Sequence, residues 1–120
     1  NDATGGKSTV GGGYENTASG TYSVVAGGGK MGSGNTASGV SSFVGGGYWN
    51  QASGNNSSIL GGGNNNTSMY DHAHIVGTNI TADRANTTFV ENLSIKTIPT
   101  SAAGLPSGSV WNNAGVLNIV

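Results

Sequence analysis

The residues best suited to metal chemistry are the two histidines, His72 and His74, which are separated by a single residue. Residues i and i+2 of a β-strand point to the same face, so a strand here predicts that both imidazoles and Val76 share one face. If that face lay on a three-fold axis, the histidines of three chains would converge and favour an octahedral transition metal over tetrahedral zinc. In the alternative interpretation, both histidines are solvated or hydrogen-bonded to a neighbouring turn.

Three aromatic residues could instead supply a binding surface. Tyr14, Tyr48 and Trp49 follow glycine triplets at corresponding places in the sequence. Exposed rings at equivalent positions would form a stripe along one side, and aromatic faces suit both sugars and protein partners. In the alternative interpretation, these rings pack against a neighbouring coil or subunit.

No group of residues indicates catalysis. A glycosidase needs two carboxylates at a defined separation, but the acidic residues are scattered along the chain: Asp2, Glu15, Asp71, Asp83 and Glu91. The chain lacks the G-x-S-x-G motif of serine hydrolases, and no Lys-Ser/Thr pair follows the glycine triplets as in phosphate-binding loops. We therefore predict that the protein is not an enzyme and has no cofactor apart from the axial metal considered above.

A tandem repeat positions these residues. Residues 8–20, STVGGGYENTASG, match residues 42–54, SFVGGGYWNQASG, and weaker copies occupy residues 24–39 and 58–68. The residues that precede the glycines, or stand at the equivalent place, recur at steps of 16, 18, 16, 16 and 14: Val10, Ala26, Val44, Leu60, Val76 and Val90. A period this short fits a coil of two short strands and two turns. We predict an all-β chain with a parallel β-roll or solenoid of about five coils in residues 8–95.

The strands of the repeat are apolar on both faces. They are predicted at residues 22–26, 41–44, 57–60, 74–76 and 88–90, and most contain two adjacent apolar residues such as Phe43 and Val44. Since neighbouring residues of a strand point to opposite faces, one residue of each pair can fill the coil and the other needs an outside partner. The pattern therefore predicts a homo-oligomer, most simply a homotrimer.

The second half of each coil has the pattern Asn-x-Ala-Ser-Gly. Its alanines are small enough for a narrow interior: Ala18, Ala37 and Ala52. Its asparagines are expected to recur in phase: Asn16, Asn35, Asn50 and Asn66. These asparagines either form a buried ladder that satisfies the backbone of the turns or lie in exposed loops, and the sequence leaves both possibilities open.

Composition restricts the class of protein. Apolar residues make up 34% of the 120-residue chain, 23 residues are glycine, and the net charge is −1. Such a balance argues against nucleic-acid binding, and no apolar run approaches the length needed for membrane insertion. A small monomer this poor in apolar residues and without cysteine is marginal, which again favours a core shared between subunits.

The two ends of the chain differ from the repeat. Residues 1–7 are predicted to be a linker or the end of a preceding coil. In residues 96–120, Pro99 and Pro106 exclude regular ladder positions, whereas residues 109–111 and 116–119 predict a β-hairpin. A lone hairpin is marginal in water, so we expect this C-terminal β cap to clasp the neighbouring chains.

The pattern Ser-apolar-apolar-Gly followed by Asn-x-Ala-Ser-Gly resembles the YadA-like head repeats of trimeric autotransporter adhesins, and similar glycine-rich versions occur in phage tail fibres. The resemblance covers residues 8–95 and departs from the adhesin pattern at the glycine triplets. It implies a left-handed roll, three chains per fibre, and attachment to a glycan or protein receptor on a cell surface. It also implies a location in a virion or at the cell surface.

The expected function is that of a structural and attachment segment of a trimeric fibre, such as a phage tail fibre. Two alternatives stay open, namely the head of a bacterial trimeric adhesin and a monomeric solenoid that binds carbohydrate or ice. An ice-binding surface would favour a flat threonine array, but Thr17, Thr36 and Thr67 stand once per coil beside asparagine, without T-x-T rows.

Overall fold

Each coil of the chain contributes short strands separated by turns rich in glycine, asparagine and serine. The computed structural model describes all 120 residues and contains no helix, so no helical segment is long and apolar enough to cross a membrane. The strands are β1 (Asp2–Ala3), β2 (Thr9–Val10), β3 (Thr17–Ala18), β4 (Val24–Val25), β5 (Thr36–Ala37), β6 (Phe43–Val44), β7 (Gln51–Ala52), β8 (Ser58–Ile59), β9 (Ala73–Val76), β10 (Thr87–Val90), β11 (Val110–Asn113) and β12 (Val116–Ile119).

The strands β1 to β10 form two parallel sheets. A four-stranded sheet has the order β1-β3-β5-β7, and a six-stranded sheet has the order β2-β4-β6-β8-β9-β10. Strands alternate between the two sheets as far as β8, so the chain winds as a β-solenoid and measures 51 × 25 × 23 Å. The predicted all-β solenoid is confirmed, with about six turns rather than five. Its first turn begins at β1, where Asp2 pairs with Thr17.

Two columns of side chains fill the interior of the solenoid. The four-stranded sheet contributes Ala18, Ala37 and Ala52, and the six-stranded sheet contributes Val25, Val44, Ile59 and Ile75. None of these side chains is more than 1% exposed, which confirms the inward alanines predicted from the sequence. Because the interior pairs one small residue with one branched residue, a change of volume in either column has little room to relax.

The pairing register corrects the predicted phase of the repeat. Val44 pairs with Val25 on one side, not with Ala26. On its other side, Val44 pairs with Ile59, not with Leu60. The residue before the glycines is therefore inward in some coils and outward in others. The error arose because the length of the apolar run before the glycines varies between coils.

A column of buried asparagines runs beside the alanines. Asn16, Asn35, Asn50 and Asn65 are at most 1% exposed. The Nδ2 of Asn50 donates to the carbonyl of Gly46 at 2.9 Å and to that of Gly62 at 3.0 Å. Its Oδ1 accepts from the backbone N–H and the Nδ2 of Asn65, at 3.2 and 3.0 Å. Each ladder amide thus satisfies carbonyls of the glycine turns that the narrow coil shields from water.

The fourth member of this ladder is Asn65, and the prediction of Asn66 was wrong. Three consecutive asparagines, residues 64–66, hid the phase in the sequence. Asn66 is half-buried and faces outward, and its Oδ1 accepts only from the N–H of Ser68, at 2.7 Å. Thr67 takes the buried place that alanine has in other coils, and its Oγ1 accepts from the N–H groups of Ser53 and Gly54, at 2.9 and 3.1 Å.

A tight turn precedes the strands of the six-stranded sheet. In it the N–H of a serine donates to the carbonyl of a glycine three residues earlier, as from Ser42 to Gly39 at 3.2 Å. The residue before that serine has a positive φ, 60° at Tyr22 and 55° at Ser41. A side chain at Gly39 would collide with the carbonyl of Gly54 in the next coil, so this glycine permits close stacking of the coils.

The C-terminal segment forms the predicted hairpin. Its strands are Val110–Asn113 and Val116–Ile119, paired antiparallel, so the first strand begins one residue later and ends two residues later than predicted. The hairpin contacts no other strand of the chain, and Leu117 and Ile119 are 61% and 74% exposed. Its role as a clasp between chains stays a prediction.

Candidate functional site

The outer face of the six-stranded sheet carries uncovered apolar side chains beside the outward polar residues Thr9, Ser58, His74 and Thr88. We call it the apolar face, and define it by its large outward side chains Val24, Phe43, Leu60, Val76 and Val90. Leu60 is 65% exposed and Val76 is 44% exposed, while their inward neighbours Ile59 and Ile75 are buried. The predicted alternation of an inward and an outward apolar residue is thus present, and the chain itself offers no cover for the outward set.

The outer face of the four-stranded sheet is polar. We call it the polar face, and define it by its outward side chains Asp2, Thr17, Thr36, Gln51, Asn66 and Thr81. Thr17 and Thr36 begin T-x-S rows with the exposed Ser19 and Ser38, but Gln51 and Asn66 interrupt the array. Thr67, which the sequence placed in this array, is buried. A continuous threonine surface of the kind suited to ice is therefore not formed.

A column of glycines borders the apolar face. Four glycines at equivalent places in the coils have a positive φ, such as 79° at Gly47, and are crowded by the next coil: Gly13, Gly28, Gly47 and Gly62. The glycines that directly precede them, Gly12, Gly27, Gly46 and Gly61, have neither constraint, since an added Cβ would meet nothing within 4 Å. Beside Gly61 lies a groove of about 260 Å³, whose apolar lining is supplied by Leu60 and Val76. The fold alone therefore does not explain why these four positions are glycine.

The two histidines do not share a strand face. His72 is exposed at the turn before β9 with a φ of 54°, whereas His74 lies within β9 and points outward. The Nδ1 of His74 is 2.8 Å from the Oγ of Ser58 on the neighbouring strand. The prediction that both imidazoles and Val76 share one strand face was wrong because the turn ends at His72. No group of three or more potential metal ligands lies together in the chain.

The aromatic residues occupy two neighbouring positions at one corner of the coils. The backbone N–H groups of Tyr14 and Tyr48 donate to the equivalent carbonyls of Gly28 and Gly62, so their rings stand in one column two coils apart, about 9.5 Å. Tyr14, Tyr48 and Trp49 are 51%, 42% and 53% exposed. The sequence thus located these exposed aromatic residues, although their rings are not equally free.

The ring of Tyr48 is covered by its neighbours. The Nζ of Lys30 lies 4.2 Å from the centroid of this ring, a distance that allows a cation–π contact. A Cβ added to Gly63 in the next coil would lie 2.7 Å from the Cζ of Tyr48. Tyr48 therefore packs between a lysine and a glycine of adjacent coils, as the alternative interpretation expected of the aromatic residues.

An inserted loop lies at the same corner. Successive ladder asparagines are 15 residues apart, except that 19 residues separate Asn16 from Asn35. The four additional residues are 30–33, and the N–H of Ser33 donates to the carbonyl of Lys30 at 2.8 Å to close the loop. This loop was not predicted, although the step of 18 between Ala26 and Val44 was its signal in the sequence.

Side chains of the adjacent coils hold the loop on both sides. On one side, the N–H of Gly32 donates to the Oε2 of Glu15 at 2.5 Å. On the other side, the Nε1 of Trp49 donates to the carbonyl of Gly32 at 3.0 Å. Lys30 and Glu15 place one positive and one negative charge at this corner. The only ion pair of the chain lies elsewhere, at Arg84, whose hydrogen bond and charge lower the pKa of the exposed carboxyl of Asp83.

Comparison with known proteins identifies no relative. No protein-family model matches the sequence, and no curated protein or solved structure matches the chain. The resemblance to YadA-like head repeats therefore stays a hypothesis drawn from the repeat pattern. Two surfaces can act on an outside partner, namely the apolar face and the corner that carries the inserted loop.

Proposed function

We propose that this chain is a structural and attachment segment of a trimeric fibre, assembled through the apolar face. The observation that carries the proposal is the uncovered column of Leu60, Val76 and Val90, which are 65%, 44% and 43% exposed in a chain with few buried apolar residues. Covering this column with copies of itself removes apolar area from water, at roughly 25 cal/mol per Å². Repeated coils give every copy the same face, as a symmetric assembly requires.

The unconstrained glycines at equivalent places in the coils support the same arrangement. Gly12, Gly27, Gly46 and Gly61 border the apolar face and meet nothing within 4 Å when a Cβ is added. Glycine lets two backbones approach closely, so a neighbouring chain at this border accounts for the absence of side chains. The groove between Leu60 and Val76 provides a recess into which an apolar side chain of that neighbour fits.

The hairpin gives further support. Val116, Leu117 and Ile119 are 62%, 61% and 74% exposed, and β11 and β12 contact no other strand. A two-stranded hairpin needs an apolar partner to be stable in water. In the proposed trimer, three hairpins pack against one another at the end of the solenoid and clasp the chains together.

The proposed fibre is a phage tail fibre or another receptor-binding fibre of a virion. Its role is to attach the virion to a cell surface. The resemblance of the repeat to phage fibres and adhesin heads is the reason for this choice. The head of a bacterial surface adhesin is the second candidate, because the same repeat pattern resembles that class.

Distances between introduced spin labels test the assembly. The chain has no cysteine, so a single substitution directs one label to each subunit. Thr88→Cys places the label beside the apolar face, and the matched Thr36→Cys places it on the polar face. We expect a short distance between labels at residue 88 and a long one at residue 36. The absence of any distance between chains, or the reverse order, would overturn the proposal.

A further inference from the structure

We infer that Trp49 and the loop of residues 30–33 form an oligosaccharide-binding site at the corner of the solenoid. This inference names the ligand of the attachment surface and so rests on the proposed role in attachment, but it does not depend on the trimer. Four observations carry it: the insertion itself, the way the loop is held, the backbone conformation of Trp49, and the chemistry of the exposed groups.

The insertion serves no purpose in winding the solenoid. Asn35 to Asn50 and Asn50 to Asn65 each span 15 residues, so a coil closes without the additional four. Of the inserted residues, Lys30, Met31 and Gly32 are exposed and only Ser33 is buried. Met31 is 81% exposed and adds nothing to the core. The loop therefore adds little to the core, and its exposed residues are available to an outside partner.

The loop is held in one conformation. Glu15 accepts from the N–H of Gly32 at 2.5 Å, and the indole of Trp49 donates to the carbonyl of Gly32 at 3.0 Å. The backbone N–H of Trp49 also donates to the carbonyl of Ser33, at 3.3 Å. A surface that is ordered before its ligand arrives loses less conformational entropy on binding. These bonds fix the plane of the indole as well as the path of the loop.

Trp49 occupies an unfavourable backbone position. Its φ is 54°, and the equivalent corner residues in the following coils are Asn64 and Asn79, with φ of 57° and 58°. Asparagine adopts this left-handed conformation readily, whereas a bulky residue there is uncommon. The coil thus places an indole, 53% exposed, where the two following coils have asparagine and the first coil has Glu15, with a φ of 54°.

The exposed groups fit a sugar. The only hydrogen-bond donor of the indole is already used by Gly32, so the ring offers an apolar face on which the C–H face of a pyranose can lie. The Oε1 of Glu15 can accept from sugar hydroxyls, and the Nζ of Lys30 can donate to them. One charge of each sign favours a neutral glycan over an anionic one. A protein partner would need about 800 Å² on each side, far more than a four-residue loop presents.

Affinity electrophoresis in gels that contain dextran, yeast mannan, galactomannan or glycogen, all of them essentially neutral glycans, tests the site. We expect at least one of these glycans to retard the folded full chain. Trp49→Asn introduces the residue found at the equivalent corner of the two following coils, so it should reduce the binding constant at least tenfold while the melting temperature is unchanged or raised. Trp111→Phe in the hairpin is the matched control and should leave retardation unchanged.

A second variant, the deletion of residues 30–33, restores the 15-residue spacing and should abolish retardation while the solenoid remains folded. Retardation of Trp49→Asn equal to that of the original chain, or no retardation by any of the four glycans, would overturn the inference. Light scattering of the same samples separates this result from the proposed assembly. A trimer that binds none of the glycans contradicts only the site, and a monomer that binds one contradicts only the trimer.

Discussion

The apolar face and the polar face are outer surfaces of the same coils, wound around the same core. On the polar face, Thr36 and Gln51 point outward from strands whose inward residues are alanines. On the apolar face, Leu60 and Val76 point outward beside inward isoleucines. Most coils contribute a strand of only two residues to each of the two sheets. Winding the chain therefore does not require the outer surfaces of the two sheets to differ.

This difference separates the features that the fold requires from those that it leaves free for the proposed partner. The inner columns and the asparagine ladder are needed on any solenoid of this width, because they fill its interior and satisfy its turns. The outward apolar residues are not needed for winding and expose apolar area to water. We therefore expect substitutions in the inner columns to change stability, and substitutions on the apolar face to change assembly.

The largest effect is expected at Val44, in the core that both faces share. Val44→Asp buries a charge without a partner at a residue that is 0% exposed, so the free energy of unfolding should fall by more than about 4 kcal/mol. Circular dichroism should show loss of the strand signal at room temperature. A cooperative melt close to that of the original chain would show that the assignment of the inner column is wrong.

Leu60→Asp tests the apolar face without disturbing the core. The residue is 65% exposed, so the strand signal of a single chain should persist while association weakens by about 3 kcal/mol for each buried charge. Sedimentation velocity over a concentration series measures the association. Thr36→Asp is the matched control on the polar face and should assemble like the original chain. Equal effects of the two substitutions would remove the distinction between the faces.

A pair of adjacent asparagines tests the ladder. Asn65→Ala removes the amide that donates to the carbonyls of Gly61 and Gly77, at 3.0 and 2.7 Å, and should destabilise the chain by about 2 to 3 kcal/mol. Asn66→Ala removes only the hydrogen bond that the side chain accepts from the N–H of Ser68. It should lower the free energy of unfolding by less than about 1 kcal/mol. Thermal unfolding of both variants measures the difference, and a greater loss in Asn66→Ala would reverse the assignment.

The smallest effect concerns a turn residue and should be favourable. Ser41 has a φ of 55°, and the equivalent residue Asn56 has a φ of 53°. Because asparagine tolerates this conformation better than serine does, Ser41→Asn should raise the free energy of unfolding by about 0.5 kcal/mol. Chemical denaturation with urea resolves a change of this size, and Ser53→Asn, outside such a turn, serves as the control. A destabilised Ser41→Asn would mean that the serine hydroxyl has a role of its own.

Much of the fold could be predicted from the sequence because its signals are local and repeated. The inward alanines, the hairpin and the parallel solenoid follow from the size of the repeated residues and the short period. The phase of the ladder did not follow, because residues 64–66 are three identical asparagines and only the pairing register distinguishes them.

The candidate site was less accessible from the sequence. Residue types located the exposed aromatic residues, but whether a ring is free depends on contacts between coils, and Tyr48 proved to be covered by Lys30. The inserted loop was hidden within an uneven spacing. The hypothesis that His72 shares a strand face with His74 was wrong because no local signal shows where a turn with a positive φ ends.

The mass of the folded protein in solution tests the central claim most directly. Light scattering coupled to size-exclusion chromatography should give three times the mass of one chain, since the apolar face of a single chain is uncovered. The Leu60→Asp variant should elute later, with a smaller mass. A folded particle with the mass of one chain over the whole concentration range would contradict the account of the apolar face as an interface between copies.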